Sequence, residues 1–386
     1  MTKVSLKILI FFACVFLNSN AAWAWDEIGH KLTTYIAWEQ MTPDVREKVI
    51  KILLDAPEDS DLSVHYDAFN SRSEAIKKRE LFMYASIWSD VVRNRQFDVR
   101  YKKYNQGDWH YGAIFWKQEN GIATVLKDFP EPSGKAIPKL TDFEEILKDS
   151  SYKEEEKALA LAWFLHIGGD IHNPLHNASR VTENSPKGDQ GGNRFVLSEQ
   201  TETQRRVNLH GYWDGIIGFV KPRKNDDCDA DYLSPIARRI IKKYPYSKLQ
   251  SRLKLGEYEA WNLEGFNLLN EVVYRDITRN QMPSKKYRKR TFNVASEQLA
   301  LAGYRLGESL NRIFSEKAEE KKEADKISDD GQKNDNSSEE KQNAVVIWEK
   351  VLTAIGKEIP IRFVRVEITD AVVTIRGIVG SLEQKQ

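Results

Sequence analysis

Apolar residues recur along most of the chain at intervals of three and four, the spacing that lines one face of a helix. Residues 30–40 carry it, and Thr42-Pro43 ahead of Asp44 and Val45 predicts a second helix with Pro near its start. Residues 73–92 predict one long helix with Leu81, Tyr84, Ala85 and Trp88 on its apolar side, which puts Asp90 and Arg93 on one face. Further helices are expected over 140–147, 153–171 and 256–279. Another is expected over 234–243, with Ser234 as N-cap and Pro235 at the first helical position. In the last, 291–314, the apolar stripe is Val294, Leu299, Ala302, Leu306, Leu310 and Ile313. Strand-type alternation is scarce: 194–197 is expected as a short strand and 109–111 as a loop or short strand. The pattern predicts an all-α, multi-helix domain.

Both ends break the pattern. Residues 1–24 have Lys3 and Lys7, an apolar run and Ala22-Trp23-Ala24, the layout of a secretory signal cleaved ahead of Trp25. From 315 to 343 nearly every residue is charged or polar, too little apolar surface to order itself, so a flexible linker is expected. Beyond it, residues 345–355 read as a helix and 362–368 and 372–379 as a strand pair. The expected organisation is a signal at 1–24, a main domain at 25–316, a linker at 317–343 and a small α+β module at 344–386.

Composition changes this picture little. With 41% hydrophobic residues the main domain can bury a sizeable core. The net charge of +1 supplies no general attraction for nucleic acid, so any such contact must be local. No stretch is long and apolar enough to cross a bilayer. Of the two cysteines, Cys14 leaves with the signal and Cys228 has no partner, which excludes an internal disulfide in the mature chain. An exported protein without a stable membrane anchor, periplasmic or secreted and monomeric, is expected.

The candidate chemistry centres on residues 166–176, HIGGDIHNPLH. His166 and Asp170 stand one helical turn apart and face the same way. Pro174 should end the helix and let His176 return toward the same cavity. Three His and one Asp within eleven residues would each need a buried partner as core groups, whereas a metal ion would serve them all. Farther on, His210 and Asp214 repeat the four-residue spacing. The other motifs are Trp25-Asp26-Glu27-Ile28-Gly29-His30, Trp88-Ser89-Asp90, Trp109-His110-Tyr111 and Gly191-Gly192-Asn193; the two glycines could equally mark a tight turn.

In this order and combination the motifs resemble the secreted zinc-dependent single-strand nucleases, the type I or S-one/P-one family, from Trp25 to about residue 316. The resemblance implies a phospholipase C/nuclease-type fold holding three zinc ions. Asp90, His110, His166 and Asp170 would hold the first, with Asp170 bridging. The amine and carbonyl of Trp25, with His30 and Asp170, would hold the one paired with it, and His176, His210 and Asp214 the remaining one. Zinc-activated hydroxide would attack phosphorus and a further zinc would stabilise the leaving 3′ oxygen, releasing 5′-phosphorylated products from RNA and single-stranded DNA.

Arg93 would stabilise phosphoryl charge, and Asn193 would contact a base. Tyr111 would stack on a base or else pack in the core. The base-reading carboxylate of relatives is replaced by Ala113, which leaves base preference open. His172 is expected to be structural, and His65 has no assigned role. Residues 344–386 resemble in part a BON module, with envelope contact as its implied role. Zinc-dependent phospholipase C is the nearest rival, but the short spacing from Trp25 to His30, and Asp214 where that family has Glu, argue against it. A non-catalytic zinc-binding envelope protein is the rival from another class.

Overall fold

The computed structural model describes residues 25–64, 66, 72–131, 134–199, 201, 206–217, 229–329, 364–369 and 372–377. The expected signal, His65, Cys228 and the helix expected over 345–355 lie outside them. The helices are α1 (Glu27–Gln40), α2 (Pro43–Leu54), α3 (Glu74–Ala85), α4 (Trp88–Val91), α5 (Asp98–Tyr104), α6 (Ala136–Lys148) and α7 (Glu154–Asp170). They continue with α8 (Pro174–Asn177), α9 (Leu209–Asp214), α10 (Asp229–Lys243), α11 (Tyr246–Leu249), α12 (Tyr258–Leu268) and α13 (Lys285–Asp329). Short strands β1 (Ile114–Glu119), β2 (Ile122–Val125) and β3 (Ala178–Arg180) form one sheet; β4 (Val196–Ser198) and β5 (Val207–Asn208) form another. The molecule is mostly helical, as the periodicity predicts.

Helix α7 is the axis. It is buried on every side from Ala160 to Asp170, so it lacks an amphipathic stripe and is enclosed by α1, α2, α3, α4 and α6. At its start the Glu156 carboxylate accepts the Lys153 N–H at 3.1 Å, satisfying an orphan donor of the first turn. On one side Trp38, Phe82, Trp88, Leu161 and Phe164 form one apolar cluster with Leu306 and Leu310 of α13. A second cluster gathers Trp25, Leu32, Trp116, Trp213 and Tyr287 around the return of the chain from α8 to α9.

Several boundaries differ from expectation. The helix expected over 73–92 is interrupted at Ser86 and Ile87. Ser86 turns its carbonyl out of the ladder to His166 Nδ1 at 2.7 Å, so a distant imidazole sets the break. Helix α10 begins at Asp229, not at Ser234, and carries Pro235 inside it. Its extra turn is held from outside: Glu80 accepts the Ala230 N–H at 2.6 Å and Lys31 pairs with Asp229 at 2.6 Å. The helix expected over 256–279 ends at Leu268 and passes into a wider π turn, Leu269–Val273. Where a loop or short strand was expected at 109–111, a 3-10 turn covers Gly107–His110.

The β1–β2 hairpin lies where the pattern predicts no strand. Its turn is Asn120-Gly121, with φ of 50° and 80°, the pair that suits a tight hairpin of this twist. Strand β1 also pairs in parallel with β3, Ile114 opposite Ala178, and the Gly112 N–H donates to His176 O at 2.7 Å. This short parallel pairing brings the 110–112 segment against the exit of α7.

Contacts divide the chain after Glu319. Helix α13 continues to Asp329, through the first part of the segment expected as a linker, where Glu, Lys and Ala favour helix. In the second unit, β6 (Val364–Thr369) and β7 (Val372–Gly377) pair antiparallel, Thr369 opposite Val372.

Candidate metal centre

Four stretches distant in sequence converge at the C-terminal end of α7. Small residues allow this approach. A Cβ on Gly169 would lie 2.8 Å from His30 Nδ1, so any larger residue there would force the His30 ring to shift. Gly29 does the same for Trp25, whose Cβ stands 2.7 Å from where a side chain would begin. Trp25 is fully buried and its indole N–H donates to Gly169 O at 3.0 Å, which anchors the segment before α1 beside Asp170.

The donor atoms fall into three buried groups: His30, His166 and Asp170; Asp90, His110 and His166; and His176, His210 and Asp214. Asp170 divides its oxygens. Oδ1 lies 3.1 Å from His30 Nε2, while Oδ2 lies 3.1 Å from His110 Nδ1 and 3.2 Å from His166 Nε2. His110 Nδ1 and His166 Nε2 are 2.9 Å apart, and Asp90 Oδ1 lies 3.9 Å from His166 Nε2. Zinc bonds of about 2.0–2.1 Å in a tetrahedron place ligand atoms roughly 3.3 Å from each other, close to this spacing.

Main-chain carbonyls orient three of the imidazoles. Because a carbonyl can only accept, each contacting nitrogen must carry the proton and the other nitrogen is left with its lone pair. His166 Nδ1 donates to Ser86 O at 2.7 Å, His176 Nδ1 to His110 O at 2.8 Å and His210 Nδ1 to Gly191 O at 2.7 Å. This is the arrangement found behind metal-binding histidines. The His176 Nε2, His30 Nε2 and Asp170 Oδ1 atoms are buried without a hydrogen bond among the described residues, an expense that a bound cation would remove.

The electrostatics agree with a cation here. Burial pushes His30, His110 and His176 below the ordinary imidazole range, which favours the neutral form that binds metal. For His166, burial acts in the same direction, but the Asp170 and Asp90 carboxylates outweigh it and hold the ring at about 9, so a proton and a cation compete for that nitrogen. Asp214 is raised well above the carboxylate range, first by burial and then by the charges of Asp26, Asp170 and Asp90. A positive ion among these groups would offset that repulsion. Its Oδ1 accepts from Asn173 Nδ2 at 2.9 Å, and Oδ2 lies 3.6 Å from His210 Nε2.

Above the buried groups opens a cleft of about 1110 Å³ whose walls include Arg93, Tyr111, His176, Asn193 and Asp214. Arg93 Nη1 lies 3.2 Å from Asp90 Oδ1, and the Tyr111 ring stacks on His176 at 4.7 Å. Asn193 is fixed by its amide, which donates to Gln190 O at 2.9 Å. Gly191 and Gly192 form a tight turn with φ of 58° and 83°. His172 stands apart: Nδ1 donates to Gly168 O at 2.6 Å and Nε2 accepts from the buried Arg305 at 2.8 Å, a supporting contact behind the site.

Sequence reasoning missed Asp26, Asn173 and Ser86. Asp26 lines the cleft, accepts the Gly29 N–H at 3.0 Å as cap of α1, and is pushed up to about 6 by burial. Its place next to Trp25, ahead of a helical pattern, was the available signal. Ser86 acts through its carbonyl and leaves no trace in residue type.

Comparison with known proteins adds to this geometry. A family model described as S1/P1 Nuclease matches residues 25–315. The chain is 29% identical to Endonuclease 3 of Arabidopsis thaliana over 318 residues, covering 77% of this chain and 92% of that protein. It is 29% identical to Endonuclease 5 of the same plant over 175 residues, 41% of this chain; that match spans about half of the relative, 52%. Nuclease S1 of Aspergillus oryzae is 22% identical over 337 residues, 80% of this chain and 99% of that protein. The family match ends at residue 315, so the likeness of 344–386 to a BON module gains no support.

Proposed function

Since the chain belongs to the S1/P1 nuclease family, we propose that it hydrolyses phosphodiester bonds of RNA and single-stranded DNA to 5′-phosphorylated products, and accepts 3′-mononucleotides by the same chemistry. The observation that supports this reading most is the set of three buried His and carboxylate groups beneath an open cleft. The donor set, imidazoles with carboxylates and no thiolate, fits zinc. Asp90, His110, His166 and Asp170 would hold one ion. Trp25 through its main chain, with His30 and Asp170, would hold a second, and His176, His210 and Asp214 a third. Zinc so bound lowers the pKa of water and offsets charge on phosphoryl oxygens.

The chain's own residues do the positioning. Arg93 is held by Asp90 and keeps its side chain 19% exposed toward the cleft, where its fork matches non-bridging phosphoryl oxygens. Burial disfavours its charge, but Asp90 outweighs that and keeps it cationic. Tyr111, backed by His176, would take an unpaired base on its other face; such stacking is available only in single strands and tolerates any base. Asn193 would read a base edge through Oδ1, exchanging its long contact from Asn208 Nδ2 at 3.4 Å for the base while its amide stays on Gln190 O. Ala113 offers no carboxylate for that task.

Export through residues 1–24 completes the reading, since release of the Trp25 amine depends on cleavage there. Among the described residues no helix is long and apolar enough to cross a membrane. The test incubates protein beginning at Trp25 with single-stranded DNA and with RNA, in zinc or in chelator, and determines product ends. Chelator-sensitive release of 5′-phosphorylated fragments is expected. No cleavage by fully zinc-loaded protein would overturn the reading, and hydrolysis of phosphatidylcholine vesicles in its place would identify a phospholipase.

A further inference from the structure

The cleft exceeds what one nucleotide fills, at about 1110 Å³ against pockets of roughly 300–1,000 Å³ for ordinary small ligands. Its walls carry four cations, Arg93, Lys187, Arg194 and Arg206, and four carboxylates, Asp26, Asp108, Glu131 and Asp214. Most of this charge is already matched. Arg93 is tied to Asp90 at 3.2 Å, Lys187 to Glu131 at 3.0 Å, and Asp108 to Lys135 at 2.7 Å. Asp26 and Asp214 belong to the floor of the cleft at the metal centre. Arg206 lies 3.9 Å from Glu199, both well exposed, a contact that solvent screens. Arg194 is left as an exposed wall cation with no carboxylate partner among the described residues.

Its main chain is nevertheless fixed. The Arg194 N–H donates to Asp189 O at 3.0 Å, its carbonyl accepts from Arg279 Nη1 at 2.6 Å, and the preceding Asn193 N–H donates to Gln190 O at 3.2 Å. The turn that leads into it is wedged against the metal centre: a Cβ on Gly191 would lie 2.2 Å from Leu175 O, and Gly191 O holds His210. The guanidinium therefore projects from a base whose position is referenced to a metal-centre histidine. The pairing of Val196 with Asn208 and Ser198 with Val207 puts Arg206 at the far end of the β4–β5 ladder from Arg194.

We propose that Arg194 binds the phosphodiester next to the scissile one, forming a subsite for a flanking nucleotide with Arg206 continuing the cationic line. This deepens, and rests on, the nuclease reading above. A guanidinium matches a phosphodiester's two free oxygens with paired hydrogen bonds, and Arg194, with no carboxylate partner among the described residues, breaks none of the ion pairs given above to take such an anion. The enzyme thereby favours chains over the shortest substrates.

The test compares zinc-loaded full-length mature protein with its Arg194→Ala variant on two substrates. One is single-stranded oligothymidylate; the other is a dinucleoside monophosphate, which has the scissile phosphate and no neighbour. Arg194→Ala should lose about five- to tenfold in kcat/KM on the oligonucleotide, carried by KM, and less than about twofold on the small substrate. The salt dependence of log KM on the oligonucleotide should become shallower by about 0.7, one released counterion on a single strand. Arg194→Lys should restore most of that slope, and Arg239→Ala, an exposed cation of α10 away from the cleft, should change neither substrate. An unchanged oligonucleotide KM, or equal losses on both substrates, overturns the subsite while leaving the nuclease intact. Wild-type protein inactive on both overturns the nuclease reading, and the subsite with it.

Discussion

Replacing Gly169 with alanine tests how closely the fold is fitted to the metal centre. The added methyl would lie 2.8 Å from His30 Nδ1 and 3.2 Å from Cε1, inside ordinary contact distance. The ring has little freedom to retreat, since it stacks on His166 at 4.1 Å and stands 3.1 Å from Asp170 Oδ1. Two effects oppose each other without metal. Alanine stabilises a helix interior over glycine by about 0.8–1 kcal/mol, and overpacking costs about 1–3 kcal/mol. The net loss is therefore about 0–2 kcal/mol, a few degrees of Tm.

With metal the loss should grow, because a displaced ligand weakens binding by about 10- to 100-fold, and metal binding is coupled to folding. Gly168→Ala is the control: its methyl would meet Leu306 Cδ2 at 2.6 Å, the mobile end of an apolar side chain away from any ligand. Thermal unfolding of both variants and the parent, in zinc and in chelator, with bound zinc counted per chain, separates the two effects. Gly168→Ala should shift Tm equally in both conditions. Gly169→Ala should lose more Tm in zinc than in chelator and bind fewer ions. A Gly169→Ala protein with the parent's zinc content and the parent's zinc-dependent rise in Tm would refute the steric reasoning.

Two further outcomes are expected. The Glu144 carboxylate joins three helices, accepting from Tyr258, from Lys148 at 2.8 Å and from Arg312 at 2.6 Å. Burial pushes it up, but these partners outweigh burial and hold it below the ordinary 4.5, so its stabilisation is full above that value and fades as pH falls through the lower folded one. Glu144→Gln should accordingly cost about 1–3 kcal/mol in urea unfolding at neutral pH and progressively less in acid; an equal cost at both would contradict the assignment. Separately, protein retaining Ala24 ahead of Trp25 should bind one zinc fewer and lose activity, and full activity in that form would exclude the amine as a ligand.

How much was legible in the sequence depended on the range of the interaction involved. His166 with Asp170, and His210 with Asp214, announce themselves because a helical turn is a local rule, and the structure sets both pairs in buried donor groups. The all-round burial of α7 follows from its apolar run. The break at Ser86 could not be read, because its cause is an imidazole eighty residues away. The early start of α10 likewise depends on Glu80 and Lys31. The β1–β2 hairpin was readable from Asn120-Gly121 set between the strand-favouring runs Ile114-Phe115-Trp116 and Ile122-Ala123-Thr124-Val125. Arg305 behind His172 gave no signal, since an arginine in an apolar helical stripe looks like a surface residue until its partners, 133 and 41 positions away, are known.

The carbonyls of Ser86, His110 and Gly191 have a consequence for how this scaffold can change. Side chains can be exchanged by mutation, but a peptide oxygen survives every substitution that keeps the backbone path. The aim of His166 is thus insulated from the identity of residue 86, whereas His210 depends on a backbone path that only glycine at 191 allows, since a Cβ there would lie 2.2 Å from Leu175 O. The walls of the cleft, where Asn193 and Arg194 stand, are under no such protection and can be rewritten one residue at a time. Preference for one nucleic acid or another is therefore free to drift in this architecture while the hydrolytic centre beneath it stays in register.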